Sequence, residues 1–353
     1  MCFMVSVTSR TARKTRTSRW RRLLRWVVWG SAVLLAIAVA GAIYQSISIR
    51  RAFARHPPPG RLVDIGARRL HLLCIGDGSP TVIFEPSGFG SSLSSSEARA
   101  EVGAVTRVCS YDRMGMGWSD SGPAVITAND LAEDLEHLIE RAPLTPPFIL
   151  VPASIGGMTS EMFARRHPDR VAGMVWVDAV SSGSLDTMLP YVTRVNTAAV
   201  CFTPAMARIG LLRLLDPMRL RRFPADADRA EALLYRPEPM ATICGLVRGA
   251  TASAEQFKTA PALDPTLRLT VLSAEMEGGL IPAGLPAFVG PSPEVLLRER
   301  QRRHQQFAAQ FQRGTWRIVP GSDHLIGNSR PHEVAQAVIE LVDRWRQERR
   351  PPR

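Results

Sequence analysis

Six short apolar runs limit how this chain can fold: residues 81–85 (TVIFE), 106–111 (TRVCSY), 148–152 (FILVP), 171–178 (VAGMVWVD), 267–274 (LRLTVLSA) and 316–320 (WRIVP). They are of strand length and largely uninterrupted by polar residues, the pattern of strands buried on both faces, as in a parallel sheet. Helical patterns lie between them. In 127–141, Leu131, Leu135, Leu138 and Ile139 share one face, and Thr127 with Asp130 can form a capping box. In 331–347, Val334, Val338, Leu341, Val342 and Trp345 do the same behind Pro331 at the helix start. Strand alternating with helix implies right-handed crossovers and a doubly wound α/β sheet. Two alternating runs ahead of it, 61–65 and 69–75, read as a β-hairpin turning at Gly66 and Ala67.

One stretch breaks the rhythm. Residues 183–262 hold no clear strand but carry Leu, Met and Arg at helical spacing, as in MARIGLLRLLDPMRLRRF. This reads as a helical cap inserted between two strands and lying over their C-terminal ends. An apolar underside on such a lid favours an apolar substrate.

The N-terminus is a separate matter. The formal net charge of +12 would suggest a nucleic-acid partner, but its placement removes that reading. Of the 44 Lys and Arg, eleven fall in the first 55 residues, where no Asp or Glu stands; the rest of the chain holds 33 against 32 acidic residues. Residues 26–44 (WVVWGSAVLLAIAVAGAIY) contain no charge, and at about 1.5 Å per residue they are just long enough for a hydrocarbon core of about 30 Å. Eight basic residues precede this run, from Arg10 to Arg25, against Arg50, Arg51 and Arg55 after it. That asymmetry predicts a single-pass anchor with its N-terminus in the cytoplasm and the rest of the chain across the membrane. A cleaved signal peptide, cut after Ala40 or Ala42, is the competing reading. The expected organisation is a basic tail (1–25), a transmembrane helix (26–44), a linker (45–60), an α/β core (61–182 and 263–348) and the cap (183–262).

The five cysteines form no framework. Cys74 and Cys109 sit in expected strands, where cysteine acts as a small core hydrophobe. Cys201 and Cys244 fall in the cap and can pair in an oxidising compartment. No Cys-x-x-Cys or His-x-x-x-His spacing points to a metal, and no cofactor is implied.

The candidate chemistry starts at Ser154, in PASIGGM after the third apolar run. A serine hydroxyl needs a base to take its proton and donors to receive the oxyanion. A sharp strand-to-helix turn lifts the serine clear of the sheet and places the Ile155 amide at a helix N-terminus. Ala153, Gly156 and Gly157 are small enough for such a turn. Pro152 fixes φ and removes an amide, which the last residue of a strand can tolerate. Among the histidines, His324 follows the last apolar run and precedes the last helix, so its loop can reach back over the sheet edge. Acids to orient it stand after two strands: Asp178 after one, Glu275 and Glu277 after another. The segment PSGFGSS (86–92) is glycine-rich and follows a strand, and the Phe89 amide is the expected second oxyanion donor.

These residues together resemble the α/β-hydrolase family. The most specific match is VCSYDRMGMGWSD (108–120), in which Tyr111, Asp112, Arg113, Gly115, Gly117 and Ser119 stand where the family has them. The family's GHSxGG elbow is PASIGG here, with Pro152 and Ala153 in place of glycine and histidine. The resemblance implies Ser154 as nucleophile, His324 as base, and the amides of Ile155 and Phe89 as oxyanion hole. It implies the acid at Glu277, or at Asp178 as in members that carry it one strand earlier, with Glu275 the remaining choice. The expected activity is hydrolysis of an apolar ester by a membrane-anchored enzyme. A catalytically silent scaffold, or an acyltransferase, lyase or haloperoxidase activity on the same residues, is the alternative. Oligomeric state leaves no mark in the sequence.

Overall fold

A computed structural model describes residues 12–185, 197–218, 220, 227–276 and 292–349. All six apolar runs become strands, and the hairpin adds two more. These are β1 (Arg61–Asp64), β2 (Arg69–Ile75), β3 (Thr81–Glu85), β4 (Val108–Tyr111), β5 (Phe148–Pro152), β6 (Val171–Val177), β7 (Arg268–Ala274) and β8 (Arg313–Val319). They form one eight-stranded sheet in the order β1-β2-β4-β3-β5-β6-β7-β8. Strand β2 runs antiparallel to β1 and β4, and every pair from β4 to β8 is parallel. The strand order reverses beside β3, so the C-terminal ends of β3, β5, β6, β7 and β8 share one rim, where such sheets place their sites.

Helices cover both faces, as fully apolar strands require. On one face α2 (Ser96–Gly103) and the last helix bury Val102, Val334, Val338 and Leu341 against β5 and β6. On the other, α3 (Ala128–Arg141) and α4 (Gly156–Arg166) bury Leu131, Leu135, Met162 and Phe163. The capping box at Thr127 forms: its side chain accepts from the Asp130 amide, and Asp130 accepts from the Thr127 amide.

The cap contains α5 (Thr197–Arg208), α6 (Leu211–Leu215), α7 (Ala227–Leu234) and α8 (Pro237–Thr259), with no strand among its described residues. Helix α8 packs down onto the core at Gly245 and Gly249, whose missing side chains leave room for Ile126. After the cap come α9 (Pro293–Ala308) and α10 (Pro331–Glu348).

Two sequence expectations change. The first helix, α1 (Ala12–Arg55), runs without a break through most of the expected linker. Tertiary contacts keep it helical there. Gln45 and Ala52 are buried; the Gln45 amide donates to the Tyr235 carbonyl (2.5 Å), and its oxygen accepts from Arg213 (3.1 Å). The Trp20–Arg55 portion is long and apolar enough to cross a membrane by length and composition. Second, Cys74 and Cys109 are not free core thiols. They face each other in the β2–β4 register with Cα atoms 4.0 Å apart, and form a disulfide. The pairing of Cys201 with Cys244 offered by the sequence does form, tying α5 to α8 within the cap.

The close approach of α8 makes a direct prediction. A Cβ at Gly249 would run into the Ile126 carbonyl, whereas one at Gly183 would meet open space. Gly249→Ala should therefore lower the unfolding free energy by about 1–3 kcal/mol, and Gly183→Ala should leave the thermal midpoint unchanged.

Candidate active site

Ser154 stands between β5 and α4 in a left-handed conformation, φ 52°. For a residue with a side chain this costs on the order of 1–3 kcal/mol. The turn is held on both sides. The Ala153 amide donates to the Glu85 carbonyl on β3 (3.1 Å), the Ser154 amide to the Val177 carbonyl on β6 (3.3 Å), and the Val180 amide to the Ser154 carbonyl (2.8 Å).

Amides alternate in direction along a strand, so the donor Pro152 lacks would have faced β6. The β5–β6 register runs to Leu150 and Met174, and the strands touch again only at Ala153 and Val177. Proline therefore costs one bond where the ladder is already ending. The two glycines that follow are required sterically. A Cβ on Gly156 would fall 2.7 Å from the Glu85 side chain, and one on Gly157 would run into the Val180 carbonyl.

His324 lies in the loop after β8. Its Nε2 is 2.9 Å from Ser154 Oγ, and its Nδ1 is 2.5 Å from Asp178 Oδ2. Asp178 is the first residue past β6 and, like the serine, is left-handed, φ 44°. Its carboxylate is wholly buried and gathers partners from three other segments. Oδ1 accepts from the Ala274 amide (3.1 Å), and Arg300 Nε approaches Oδ2 to 3.1 Å. Burial alone would raise the Asp178 carboxyl, but the His324 hydrogen bond and the charge of Arg300 outweigh it and hold it below the usual range.

His304, one turn after Arg300 on α9, is also buried. Its Nε2 is 2.9 Å from the Ala179 carbonyl, which can only accept, so Nε2 carries the proton. Nδ1 then accepts from the Ser273 hydroxyl at 2.8 Å. Burial pushes the His304 imidazole below its ordinary value of 6.5 and keeps it neutral.

The structure thus brings together three of the expected residues, Ser154, His324 and Asp178. Glu275 turns elsewhere, accepting from the Gly321 amide at 2.7 Å. Glu277 lies outside the described residues. Among the described residues, Asp178 occupies the position at the imidazole.

Of the two expected oxyanion donors, Ile155 directly follows the serine. Phe89 lies in the turn after β3, and its neighbour Gly88 abuts the Ile155 side chain. Among the described residues, neither the Phe89 nor the Ile155 amide donates a hydrogen bond within the protein.

Arg113, one of the residues that match the family, has a reach the sequence did not indicate. The guanidinium donates to the carbonyls of Ser87 (3.2 Å) and Pro86 (2.6 Å) and to Glu85 Oε1 (2.8 Å), all within or just before the oxyanion turn. Tyr111 donates to the other oxygen of Glu85. His304 and Arg300 were missed as well. Their four-residue spacing on one helix was a usable signal, since it puts both on one face. Among the described residues, no group of three or more His, Cys, Asp or Glu side chains is placed to hold a metal ion.

Residues 80–270 match the sequence model of the family described as alpha/beta hydrolase fold. The chain belongs to that family. It is 41% identical over 231 residues to an uncharacterised protein of Schizosaccharomyces pombe, an alignment covering 65% of this chain and 38% of the relative. It is 31% identical over 129 residues to an uncharacterised vacuolar membrane protein of Saccharomyces cerevisiae, covering 31% of this chain and 20% of that protein. The chain thus spans well under half the length of these relatives. In structure it resembles a thermophilic esterase from Thermogutta terrifontis with TM-score 0.57 and 19% identity, over 81% of this chain and 98% of the esterase. The family supports a hydrolase in general, and the Trp20–Arg55 portion of α1 is long and apolar enough to cross a membrane by length and composition.

Two predictions separate the acids and test the buried histidine. Asp178→Asn should lower kcat about a thousandfold or more, while Glu275→Gln should leave kcat within about threefold, read with any turned-over ester. Because folding depresses the His304 pKa, the stability it contributes is present above 6.5 and is lost as pH falls toward its folded value. The thermal midpoint of wild type should decline as pH falls below 6.5, and that of His304→Gln should decline less.

Proposed function

We propose that the protein is a membrane-anchored serine hydrolase acting on carboxylic esters with an apolar acyl or alcohol part. The observation that carries this reading is the continuous line from Ser154 Oγ to His324 Nε2 (2.9 Å) and from His324 Nδ1 to Asp178 (2.5 Å). A hydroxyl, an imidazole and a buried carboxylate in that order are what acyl transfer through a serine ester needs.

In this reading His324 accepts the Ser154 proton through Nε2 as Oγ attacks the ester carbonyl. Asp178, held ionised by Arg300 and by the Ala274 amide, fixes the imidazole's tautomer and stabilises its charged form. The amides of Phe89 and Ile155 receive the oxyanion. His324 returns the proton to the departing alcohol. A water then attacks the acyl-serine, giving its proton to His324, which passes it to the departing Ser154 Oγ as the acid is released. Arg113 acts at one remove by fixing the carbonyls of Pro86 and Ser87, so that the Phe89 amide points at the reacting centre.

The side of the membrane follows from charge and redox chemistry. The basic stretch ahead of the apolar run favours the cytoplasm for the N-terminus. The two disulfides fit an oxidising compartment for the rest.

Full-length protein should be labelled by a fluorophosphonate probe, and Ser154→Ala should not be. Equal labelling of the two, or none of the wild type, would dispose of the serine assignment. A reporter fused after Arg353 should be active only outside the cytoplasm.

A further inference from the structure

Helix α1 does more than precede the domain; it docks on the cap. Counting about 20 residues for a hydrocarbon core from Trp26 places the far end of the span near Gln45. The cap meets the helix before that point. A Cβ on Gly41 would run into the Ile209 carbonyl, and one on Gly210 would sit 3.5 Å from the Tyr44 ring. Gly41 lies four residues short of Gln45, or about 6 Å along the axis. Residues 209–215 therefore stand where hydrocarbon gives way to headgroups.

Their surface fits that level. Leu214 and Leu215 are 72% and 60% exposed, and Phe202 on the neighbouring α5 is 62% exposed. Ile43 and Ile47 of α1 are exposed too. Arg50, Arg51 and Arg208 are exposed basic residues beside this apolar surface, the arrangement that meets lipid headgroups. The one buried charge on α6, Arg213, is satisfied internally by Gln45 and by Glu231 (3.1 Å), so the helix presents leucine outward.

The inner side of the same helix leads to the site. Leu212 is buried with Ala207, Tyr235 and Met240, and Phe89 packs against that cluster. Phe89 supplies the candidate oxyanion amide, so one short helix separates the bilayer level from the reacting centre. Its two sides are both apolar.

We infer that α6 and the adjoining end of α5 rest in the bilayer surface, and that the enzyme draws its ester from the membrane, the acyl chain passing along the Leu212–Met240 cluster to Ser154. This deepens the hydrolase reading and rests on it for the substrate, while the membrane contact stands on geometry alone. The two are therefore tested by different readouts.

For the contact, a bimane label is placed on Leu215→Cys in full-length Cys2→Ser protein, reconstituted in vesicles of phosphatidylcholine and phosphatidylglycerol. Lipids carrying a nitroxide at a shallow acyl position should quench it. The same label on Glu340→Cys, exposed on α10, should stay unquenched. No quenching at position 215, or equal quenching at both, overturns the membrane contact whether or not the protein hydrolyses anything.

For the substrate, Leu214→Ser/Leu215→Ser should lower turnover of a long-chain ester embedded in those vesicles about tenfold. Turnover of a short water-soluble p-nitrophenyl ester should change less than about twofold. Equal turnover of the embedded ester by variant and wild type overturns the membrane route. Failure of wild type on both esters instead removes the hydrolase reading, and the route with it.

Discussion

A single buried carboxylate organises the site. Asp178 has lost nearly all its water, and an isolated ionised carboxyl at that depth would be strongly disfavoured. It stays charged because partners arrive from three places: the Ala274 amide at the end of β7, Arg300 on α9, and His324 from the loop after β8. His304 stands 3.6 Å off as a neutral, internally bonded neighbour. Shift β7 or α9 and the charge is left exposed to a low dielectric. The imidazole would then lose its orientation and the serine its base. The parallel sheet matters to function chiefly because it delivers these segments to one rim.

The second constraint is backbone strain, concentrated at that rim. Ser154 and Asp178 both hold left-handed conformations unfavourable for residues with side chains. They lie at the ends of adjacent strands, and each is pinned by hydrogen bonds to a neighbouring strand. Gly156 and Gly157 allow the helix after the serine to lie against Glu85 and Val180. On the far side of that contact Arg113 ties down the turn carrying Phe89. Burial pushes the Glu85 carboxyl up, while the Arg113 charge and the Tyr111 hydroxyl draw it back down in part. Strain and charge are thus both supported by residues that never meet a substrate.

The third element is the relation of cap to anchor. A helix crossing a membrane could have been joined to the domain by a free linker. Here Gln45, buried against Tyr235 and Arg213, fixes the cap relative to the helix axis. The disulfide between Cys201 and Cys244 fixes α5 relative to α8. Together they give the cap a defined height, which is what makes the exposure of Leu214 and Leu215 informative.

The sequence alone determined the class of fold, because fully apolar strands alternating with one-sided helices have few other ways to bury their surface. It also singled out Ser154 and His324, which the fold brings within hydrogen-bond distance, since a strand-to-helix turn with paired glycines and a late loop histidine each carry a local signal. Three acids stood at strand ends, and only packing put Asp178 at the imidazole and turned Glu275 away, because a carboxylate's surroundings depend on which neighbours reach it. The same holds for the Cys74–Cys109 bond, which needs the β2–β4 register, and for the docking of α1 on the cap. Contacts between residues 168 or more positions apart, such as Gln45 with Arg213, leave no periodic trace along a chain, so the folded molecule alone decided them.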